Sequence, residues 1–321
     1  MPTTEPKTAV ILMTMGDAPT VPGVLPFLLR LFSDPAIIRA PWYVRYPLSV
    51  VITAKKLSTM RMRYKAIGGG SPMNAITARQ ADALEKALGE GFKCYVANRY
   101  CAPDTADAYR RAKADGAKKI IALPLYPHYS TATTGSNFDA LKELVAKDGN
   151  APEVSYIRSF ADEPGFIAAF SRKVVEAIAG FPEDERRDVQ VLFSAHSLPH
   201  EFIASGDPYL EEIQRHLAGA LRLVKPAYFH LCFQSKGGGK REWLKPETDT
   251  VLSELAAKGR DKVVLVPISF VAENIETLYD VEIGYRALAD SLGIKKFVRA
   301  RCLDDDPEFI EVLAGLVRRN L

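Results

Sequence analysis

One histidine of this chain lies where chemistry is expected, at the end of a strongly apolar segment. Residues 189–193 are typical of a buried strand, and His196 follows them just before the chain breaks at residues 197–199. Open α/β folds hold their ligands at the carboxyl ends of parallel strands, so His196 is expected at such an edge. A neutral imidazole there can accept a proton or bind a borderline metal ion. The alternative is a histidine that only hydrogen-bonds a turn.

A second candidate is a group of acids after another apolar segment. Residues 263–269 predict a strand, and Glu273, Glu276 and Asp280 then fall at i, i+3 and i+7, on one stripe of the helix that follows. They can form an acidic track that hands a cation to His196. The alternative is that they serve the helix dipole or a capping box. Both candidates follow strands in the same half of the chain, so they can meet.

The other four histidines carry weaker signals. His216 is predicted on a solvated helix face, His230 inside a strand as a structural residue, and His200 at the surface. His128 follows the third strand of the first half and is placed to line a cleft from the wall opposite His196.

The elements that position these residues repeat along the chain. Strand patterns alternate with helical patterns, which predicts βαβ units and parallel sheets. The fold class is therefore α/β, with two similar Rossmann-like domains that each hold a four-stranded parallel sheet flanked by helices. A single eight-stranded barrel is the alternative. The predicted strands are residues 8–15, 93–100, 119–126, 154–160, 189–196, 227–235, 262–269 and 295–302, and the main helices are residues 75–88, 105–115, 166–179, 210–223, 248–257 and 275–291.

We divide the chain into domains at residues 1–160 and 161–321, although the pattern of the last helix, residues 307–320, fits either domain. A long excursion, residues 16–92, follows the first strand. Within it, Trp42, Tyr43 and Tyr46 stand beside aliphatic and basic residues. This mixture suits a membrane surface or a flat apolar ligand that bears carboxylates. A buried helical hairpin with a solvated basic face fits the pattern equally well.

Composition argues against several functional classes. The 42 basic and 39 acidic residues leave a formal net charge of +3, which offers no global field for nucleic acid. The glycine-rich segments 68–72, 133–136 and 237–240 do not match a P-loop, so no nucleotide is expected.

The four cysteines are scattered along the chain, which predicts reduced thiols in a cytosol. Without a signal peptide or a spanning segment, we expect a cytoplasmic protein, with peripheral attachment to the inner membrane as a further option. The cysteines are Cys94, Cys101, Cys232 and Cys302.

Six motifs, in order along nearly the whole chain, resemble the ferrochelatase family. They are RYKAIGGGSP, NRYCAPDT, YPHYSTATTGS, LFSAHSLP with GDPY downstream, FQSKGGG followed by Trp243, and VPISFVAENIETLYDVEIGY. The resemblance implies two chelatase-like domains with an active-site cleft between them. It also implies a lyase that inserts Fe(II) into protoporphyrin IX to form protohaem, releasing two protons, as the last step of haem biosynthesis.

The resemblance also implies roles for individual residues. His196 and Glu276 resemble the pair that binds the metal or handles the pyrrole protons, and Asp280 resembles a member of the acidic track beside them. Residues 34–66 resemble the apolar lips that admit porphyrin and touch the membrane. The residues that resemble the lining of the macrocycle pocket are Met15, Arg99, Tyr100, Tyr126, Ser130 and Trp243, to which we add His128, where many relatives have glutamine.

Some positions depart from the family pattern. Asn274 stands where many relatives have histidine, so an auxiliary proton acceptor is missing. Thr131 stands where relatives with an iron–sulfur cluster have cysteine, and no cysteine-rich tail is present, so we expect no [2Fe–2S] cluster. Met15 favours a protoporphyrin over a coproporphyrin substrate.

Two other hypotheses remain open at this stage. One is a tetrapyrrole-binding carrier or regulator without turnover, and the other is a chelatase for Co(II) or for a more carboxylated tetrapyrrole. The presence of both His196 and Glu276 argues against a carrier, which needs no base. A histidine with a pKa near 6.5 suits removal of pyrrole protons, a role typically worth about 10²–10⁴ in rate.

Overall fold

The computed structural model describes residues 7–238 and 241–321. These residues form two compact units. The first consists of residues 7–159 with Asp304–Leu321, and the second is Phe160–Leu303. The sequence-based division assigned all of 161–321 to the second domain. The C-terminal segment groups with the first unit because its helix packs against the helix Met73–Leu88, and because Arg79 forms a 2.9 Å ion pair with Asp305.

The first unit is built on a parallel sheet whose central strand is completely buried. Its strand order is β2-β1-β3-β4. Every residue of β1 is buried, as expected where helices cover both faces of a parallel sheet. The strands are β1 (Thr8–Thr14), β2 (Phe92–Asn98), β3 (Lys119–Pro124) and β4 (Glu153–Tyr156).

Two helices of the first unit, Thr105–Ala114 and Ser136–Ala146, bury apolar residues on this sheet. On one side, Ile11 and Met13 of β1 pack in a cluster with Tyr109 and Phe138. The helices are α1 (Val24–Ser33), α2 (Trp42–Ala66), α3 (Met73–Leu88), α4 (Thr105–Ala114), the π-helical turn π1 (Thr131–Gly135), α5 (Ser136–Ala146) and the C-terminal α11 (Pro307–Arg318).

The second unit repeats this plan with strand order β6-β5-β7-β8. Its strands are β5 (Gln190–His196), β6 (Tyr228–Gln234), β7 (Lys262–Pro267) and β8 (Lys296–Arg299). Its helices are α6 (Pro164–Ala179), α7 (His200–Ala204), α8 (Tyr209–Val224), α9 (Thr248–Ala257), the π-helix π2 (Glu276–Tyr285) and α10 (Arg286–Ser291), with a 3₁₀ turn at Glu183–Asp188.

The predicted fold class is confirmed. Each sheet has four parallel strands in the same order, with the second strand of the unit at one edge and the fourth at the other. Two separate sheets replace the single barrel that was the alternative. In both sheets the winding direction reverses between the first and third strands. Such a reversal opens a crevice at the carboxyl ends of these strands, where ligands of open α/β sheets bind.

One prediction about a histidine is wrong. His216 on α8 is not solvated but fully buried, with its ring 4.7 Å from that of Phe166 and 4.4 Å from that of Phe170, measured between centroids. It lies on the buried stripe of α8 with Ile213 and Leu217, at helical spacing. Burial lowers the pKa of His216 to about 3, so it is neutral at ordinary pH.

The long excursion after β1 contains the helix α2, in a segment for which a helical hairpin was one of the alternatives. α2 leaves much of its apolar surface in solvent, including Trp42, Tyr43 and Tyr46. The buried-hairpin alternative therefore does not describe α2. Among the residues described, no helix is both long enough and apolar enough to cross a membrane.

Candidate active site

The candidate site of the second unit lies at the point where its sheet reverses direction. His196 is the last residue of β5, and the loop after β7 leads into π2, whose first residue is Glu276. β5 and β7 are hydrogen-bonded neighbours, so their carboxyl ends lie side by side. The sheet therefore brings the two residues that are 80 positions apart into contact.

The imidazole and the carboxylate form a direct contact. His196 Nδ1 lies 2.8 Å from Glu276 Oε2, and the two side chains are 36% and 24% exposed. Both are accessible enough to meet a ligand. Because Nδ1 is engaged by the carboxylate, the other ring nitrogen, Nε2, is the atom that can take a proton or a metal ion. The predicted meeting of His196 and Glu276 is present in the structure.

The backbone N–H and the backbone carbonyl of His196 are each hydrogen-bonded as well. Its N–H donates to Ser269 Oγ at 2.9 Å, and its carbonyl accepts from the hydroxyl of Tyr209 at 2.9 Å. Tyr209 begins α8, where Asp207 Oδ1 accepts a 3.1 Å hydrogen bond from its N–H. Tyr209 belongs to the GDPY motif of the family resemblance, but no role was predicted for it. That motif was the available signal, whereas Ser269 gave none.

The two groups shift each other's pKa in opposite directions. Burial alone would lower the pKa of His196, but the charge and hydrogen bond of Glu276, with a further contribution from Asp280, raise it above its usual 6.5. Burial alone would raise the pKa of Glu276, but the charge and hydrogen bond of His196, with Ser235 and Gln234, lower it below 4.5. The pair thus favours imidazolium with carboxylate.

Asp280 continues the acidic side of the site. It lies four residues after Glu276 on π2, about one helical turn further on, and its Oδ2 accepts from Ser235 Oγ at 3.1 Å. Ser235 follows β6 directly and has a positive φ of 59°. A π-helical segment of this kind is uncommon and is frequently found at functional sites.

Glu273 is not part of this acidic side, which corrects the predicted three-acid stripe. The helix begins at Glu276, and Glu273 lies before it with its carboxylate on Arg299, where NH1 and Oε1 are 2.6 Å apart. The stripe assumed helical spacing from residue 273. Between these positions, Asn274 Oδ1 accepts from the N–H of Glu276 at 2.8 Å. Asn274 therefore caps the start of the helix.

Trp243, also predicted to line the macrocycle pocket, lies in the second unit beside the loop that follows β6. It pairs with Pro199 in an isolated antiparallel bridge. Its indole comes so close to Gly237 that a Cβ on that glycine would lie 2.6 Å from the ring. The glycine is thus required by the position of the tryptophan, which lies next to the loop that follows His196.

The remaining predicted binding residues belong to the first unit, where two of them, Arg99 and Tyr100, belong to one polar cluster. Asp34, which is buried, accepts from Arg99 NH2 at 2.8 Å, from Tyr100 Oη at 3.1 Å and from Ser136 Oγ at 2.8 Å. Arg99 Nε also donates to Ser136 Oγ at 2.7 Å. The charge of Arg99 is therefore largely compensated by Asp34, a residue that the sequence analysis did not single out.

The other four of these residues lie after β1 and β3. Met15 is half-buried and follows β1, and His128 is buried after β3. Tyr126 Oη accepts from Asn137 Nδ2 at 3.3 Å, and burial raises its pKa. Ser130 Oγ accepts from the N–H of Ala132 at 3.2 Å and so caps π1. They occupy the carboxyl edge of the first sheet, equivalent to the edge that carries His196.

The remaining two histidines match their predictions. His230 lies in β6, where Nε2 is 3.3 Å from Gln190 Oε1, and His200 is exposed at the start of α7. Within the described part of the chain, no group of three or more histidine, cysteine, aspartate or glutamate side chains could hold a metal ion. The imidazole–carboxylate pair is thus a two-donor arrangement.

Comparison with known proteins identifies the family. The family model described as Ferrochelatase matches residues 7–321. The chain belongs to the ferrochelatase family. Curated ferrochelatases resemble it over nearly its full length: that of Citrifermentans bemidjiense is 42% identical over 97% of this chain and 98% of its own, and that of Synechocystis is 38% identical over 98% of this chain and 83% of its own. The protein is therefore an enzyme, a metal chelatase of haem biosynthesis, consistent with the lyase class.

Solved structures support the fold. SirB from Bacillus subtilis with Fe3+ has a TM-score of 0.60 at 12% identity, covering 98% of this chain and 95% of its own. CbiX, described as the terminal enzyme for biosynthesis of siroheme in denitrifying bacteria, has a TM-score of 0.53 at 15% identity, covering 98% of this chain and 99% of its own. At these identities the likeness shows that the ferrochelatase family member shares a chelatase-like fold.

Proposed function

We propose that this protein inserts Fe(II) into protoporphyrin IX, forming protohaem and releasing two protons. The observation that carries the proposal is the 2.8 Å contact between His196 Nδ1 and Glu276 Oε2 at the carboxyl edge of a parallel sheet, in a chain of the ferrochelatase family. Insertion exchanges two pyrrole N–H protons for one Fe(II) ion, and the oxidation state of iron does not change. The reaction therefore needs a proton acceptor and a ligand that releases its metal.

His196 and Glu276 can supply both functions. An imidazole nitrogen with a carboxylate oxygen suits Fe(II), and two protein donors leave the ion free to pass to the four ring nitrogens. As the metal moves into the ring, Nε2 of the imidazole can accept one pyrrole proton, and once that proton has left it can accept the second. Glu276 then stabilises the imidazolium through Nδ1. In this proposal Asp280, one turn further on π2, extends the acidic path along which protons leave.

The macrocycle is assigned to the residues that the family resemblance indicated. Those at the carboxyl edge of the first sheet are Met15, Arg99, Tyr100, Tyr126, His128 and Ser130, and the second unit adds Trp243. Tyr100 and Tyr126 have raised pKa values because they are buried, so their phenols remain neutral. Neutral phenols and an indole suit a flat aromatic ligand.

We also propose that the protein is cytoplasmic and attaches peripherally to a membrane through residues 34–66. The four cysteines are all free thiols, which agrees with a reducing compartment. α2 exposes a row of apolar side chains next to lysines and arginines, a combination that suits the interface of an anionic bilayer.

The decisive experiment compares metallation by wild type, His196→Ala and Glu276→Gln, with Fe(II) and Zn(II). Protoporphyrin IX and coproporphyrin III are offered side by side. We expect His196→Ala to abolish insertion while circular dichroism shows an intact fold. Glu276→Gln is expected to lower kcat more than it weakens porphyrin binding. His200→Ala is the matched control, because His200 is an exposed histidine four residues along the chain.

The outcomes separate the competing hypotheses. Undiminished turnover by His196→Ala would refute the role of that residue. Tight porphyrin binding without insertion by wild type would indicate a carrier. Faster insertion of Co(II), or into the more carboxylated porphyrin, would change the substrate assignment.

A further inference from the structure

A buried arginine connects the last strand of the second unit to the segment that carries Glu276 and Asp280. Arg299 ends β8, and its side chain is 10% exposed. NH1 donates to Glu273 Oε1 at 2.6 Å, and Nε donates to Glu282 Oε2 at 3.0 Å. One guanidinium therefore binds two carboxylates that are nine positions apart in the chain.

The two carboxylates flank the acids of the candidate site. Glu273 lies three residues before Glu276, and Glu282 lies two residues after Asp280. Each carboxylate has further partners that fix its orientation. Glu273 also accepts from the N–H of Cys302 at 3.1 Å and from the hydroxyl of Thr277 on π2. The segment is thus attached to the sheet on both sides of the reactive residues.

A second arginine strengthens the later attachment. Arg286 donates from Nε and NH2 to Glu282 Oε1 at 2.9 and 2.6 Å, and from NH1 to the carbonyl of Phe297 in β8 at 2.8 Å. Glu282 is therefore bound by Arg299 from the strand and by Arg286 from the next turn of the helix. Only Arg299 also reaches Glu273, so it alone of the two joins both attachment points.

We propose that Arg299 is a positioning residue that holds π2 in the register and orientation at which Glu276 meets His196 and Asp280 meets Ser235. The inference rests on the proposed function, since it assigns Arg299 to the same reaction. A π-helical segment has i→i+5 hydrogen bonds and is rare, whereas an ordinary α-helix has i→i+4 hydrogen bonds. A change from i→i+5 to i→i+4 bonding would rotate Asp280 relative to Glu276. Fixing residues 273 and 282 to one guanidinium resists that rotation.

The shape of the guanidinium explains why an arginine is needed here. A guanidinium presents donors in a planar fork and can bind two carboxylates at once, whereas an ammonium is a point charge. Arg299→Lys keeps the charge but shortens the reach and removes the fork. It should retain one carboxylate contact and lose the bridge between Glu273 and Glu282.

The test measures kcat, KM for Zn(II), and the Kd of protoporphyrin by fluorescence in wild type and Arg299→Lys. Amide hydrogen exchange of residues 276–285 is measured in parallel. We expect kcat/KM for the metal to fall about 10–100-fold, as for other residues that orient metal ligands, with porphyrin Kd unchanged and faster exchange in π2. Arg301→Lys is the control, because Arg301 is exposed two residues further along.

Glu282→Gln provides a second route to the same answer if Arg299→Lys fails to fold. It removes the charge of the more exposed carboxylate and should give the same split between metal kinetics and porphyrin binding. Unchanged metal kinetics and exchange in folded Arg299→Lys or Glu282→Gln would overturn the inference, as would an equal loss in Arg301→Lys. An inactive wild type would instead refute the proposed function, while the exchange data would still test the attachment of π2.

Discussion

At the level of single residues, the proposed reaction depends on how His196 and Glu276 share one positive and one negative charge. The carboxylate makes the imidazole a stronger base, and the imidazolium makes the carboxylate a weaker one. In the proposed reaction a stronger base would accept a pyrrole proton more readily. It would also bind a metal only after losing its own proton, so metal binding and proton binding would compete at Nε2.

The raised pKa of His196 can be measured directly. In an NMR titration of the imidazole Cε1–H resonance, we expect a midpoint above 6.5 in wild type. In Glu276→Gln the midpoint should fall, because burial then acts against only the smaller contribution of Asp280. His216 is the internal control: its pKa of about 3 means that its resonance should not move between about pH 5 and 9. A wild-type midpoint at or below 6.5 would contradict the assignment.

The same pair makes stability depend on pH, with a defined sign. His196 has a raised pKa, so its contribution is complete below about pH 6.5 and is lost as the pH rises through the raised value. Glu276 has a lowered pKa, so its contribution is present above about pH 4.5 and is lost as the pH falls through the lowered value. Both contributions are complete between about pH 4.5 and 6.5. The free energy of unfolding of wild type should therefore exceed that of Glu276→Gln most clearly in this range.

At the level of elements, the strands were predictable because a parallel sheet covered on both faces requires continuous apolar runs. All eight predicted strands are present, each within a few residues of its predicted bounds. α2 lacks the buried apolar stripe that a periodicity analysis detects, so a helical hairpin was only one of the alternatives for this segment.

The site was predictable only in part, for physical reasons. His196 and Glu276 were found because strand ends in one sheet lie at a common edge. Tyr209 and Ser269 act on the backbone of His196, and a backbone partner leaves no complementary side chain in the sequence. The Glu273 carboxylate was misplaced because spacing shows neither where a helix starts nor that an arginine 26 residues later will bind it.

The end of β1 offers a prediction at this scale. Gly16 has a φ of +69°, and a Cβ there would lie 2.4 Å from Cys101 Sγ and 2.7 Å from Asn98 Cβ. Gly16→Ala should therefore suffer both backbone strain, about 1–2 kcal/mol, and overpacking, about 1–3 kcal/mol. Urea denaturation measures the sum as a loss in free energy of unfolding.

Gly91→Ala separates the two causes. Gly91 has a φ of +88°, but the described residues leave open space within 4 Å of its Cβ position. This variant should lose only the backbone contribution. Equal losses in the two variants would show that the loop carrying Cys101 yields to the new methyl group, and that the end of β1 is not tightly packed.

At the level of the whole molecule, one strand order is used twice with different chemistry at its carboxyl edge. The second sheet presents the imidazole–carboxylate pair, and the first presents a cluster in which Arg99, Tyr100 and Ser136 surround the carboxylate of Asp34. Repetition of a scaffold therefore does not repeat the site. Side chains at equivalent edges determine what each unit contributes, as expected when function is carried by residues rather than by the fold.

The exposed face of α2 leads to a prediction about the whole protein in its environment. Trp42 is 74% exposed and Tyr46 is 64% exposed, one turn apart on α2, and Lys55, Lys56 and Lys65 follow on the same helix. Aromatic side chains insert at the headgroup level, and each nearby basic residue adds about 1 kcal/mol on an anionic surface. In vesicle flotation with phosphatidylglycerol, we expect wild type to bind and to be released by salt.

Trp42→Ser with Tyr46→Ser should weaken that partition about tenfold or more, because two aromatic groups no longer leave water. Leu223→Ser with Tyr228→Ser is the matched control, because both residues are exposed apolar residues of the second unit and neither lies on α2. Similar weakening in both double variants would mean that exposed apolar area alone drives the attachment. No attachment of wild type at any lipid charge would leave residues 34–66 with a role in admitting the porphyrin only, because the apolar face would then be available to a flat ligand rather than to a bilayer.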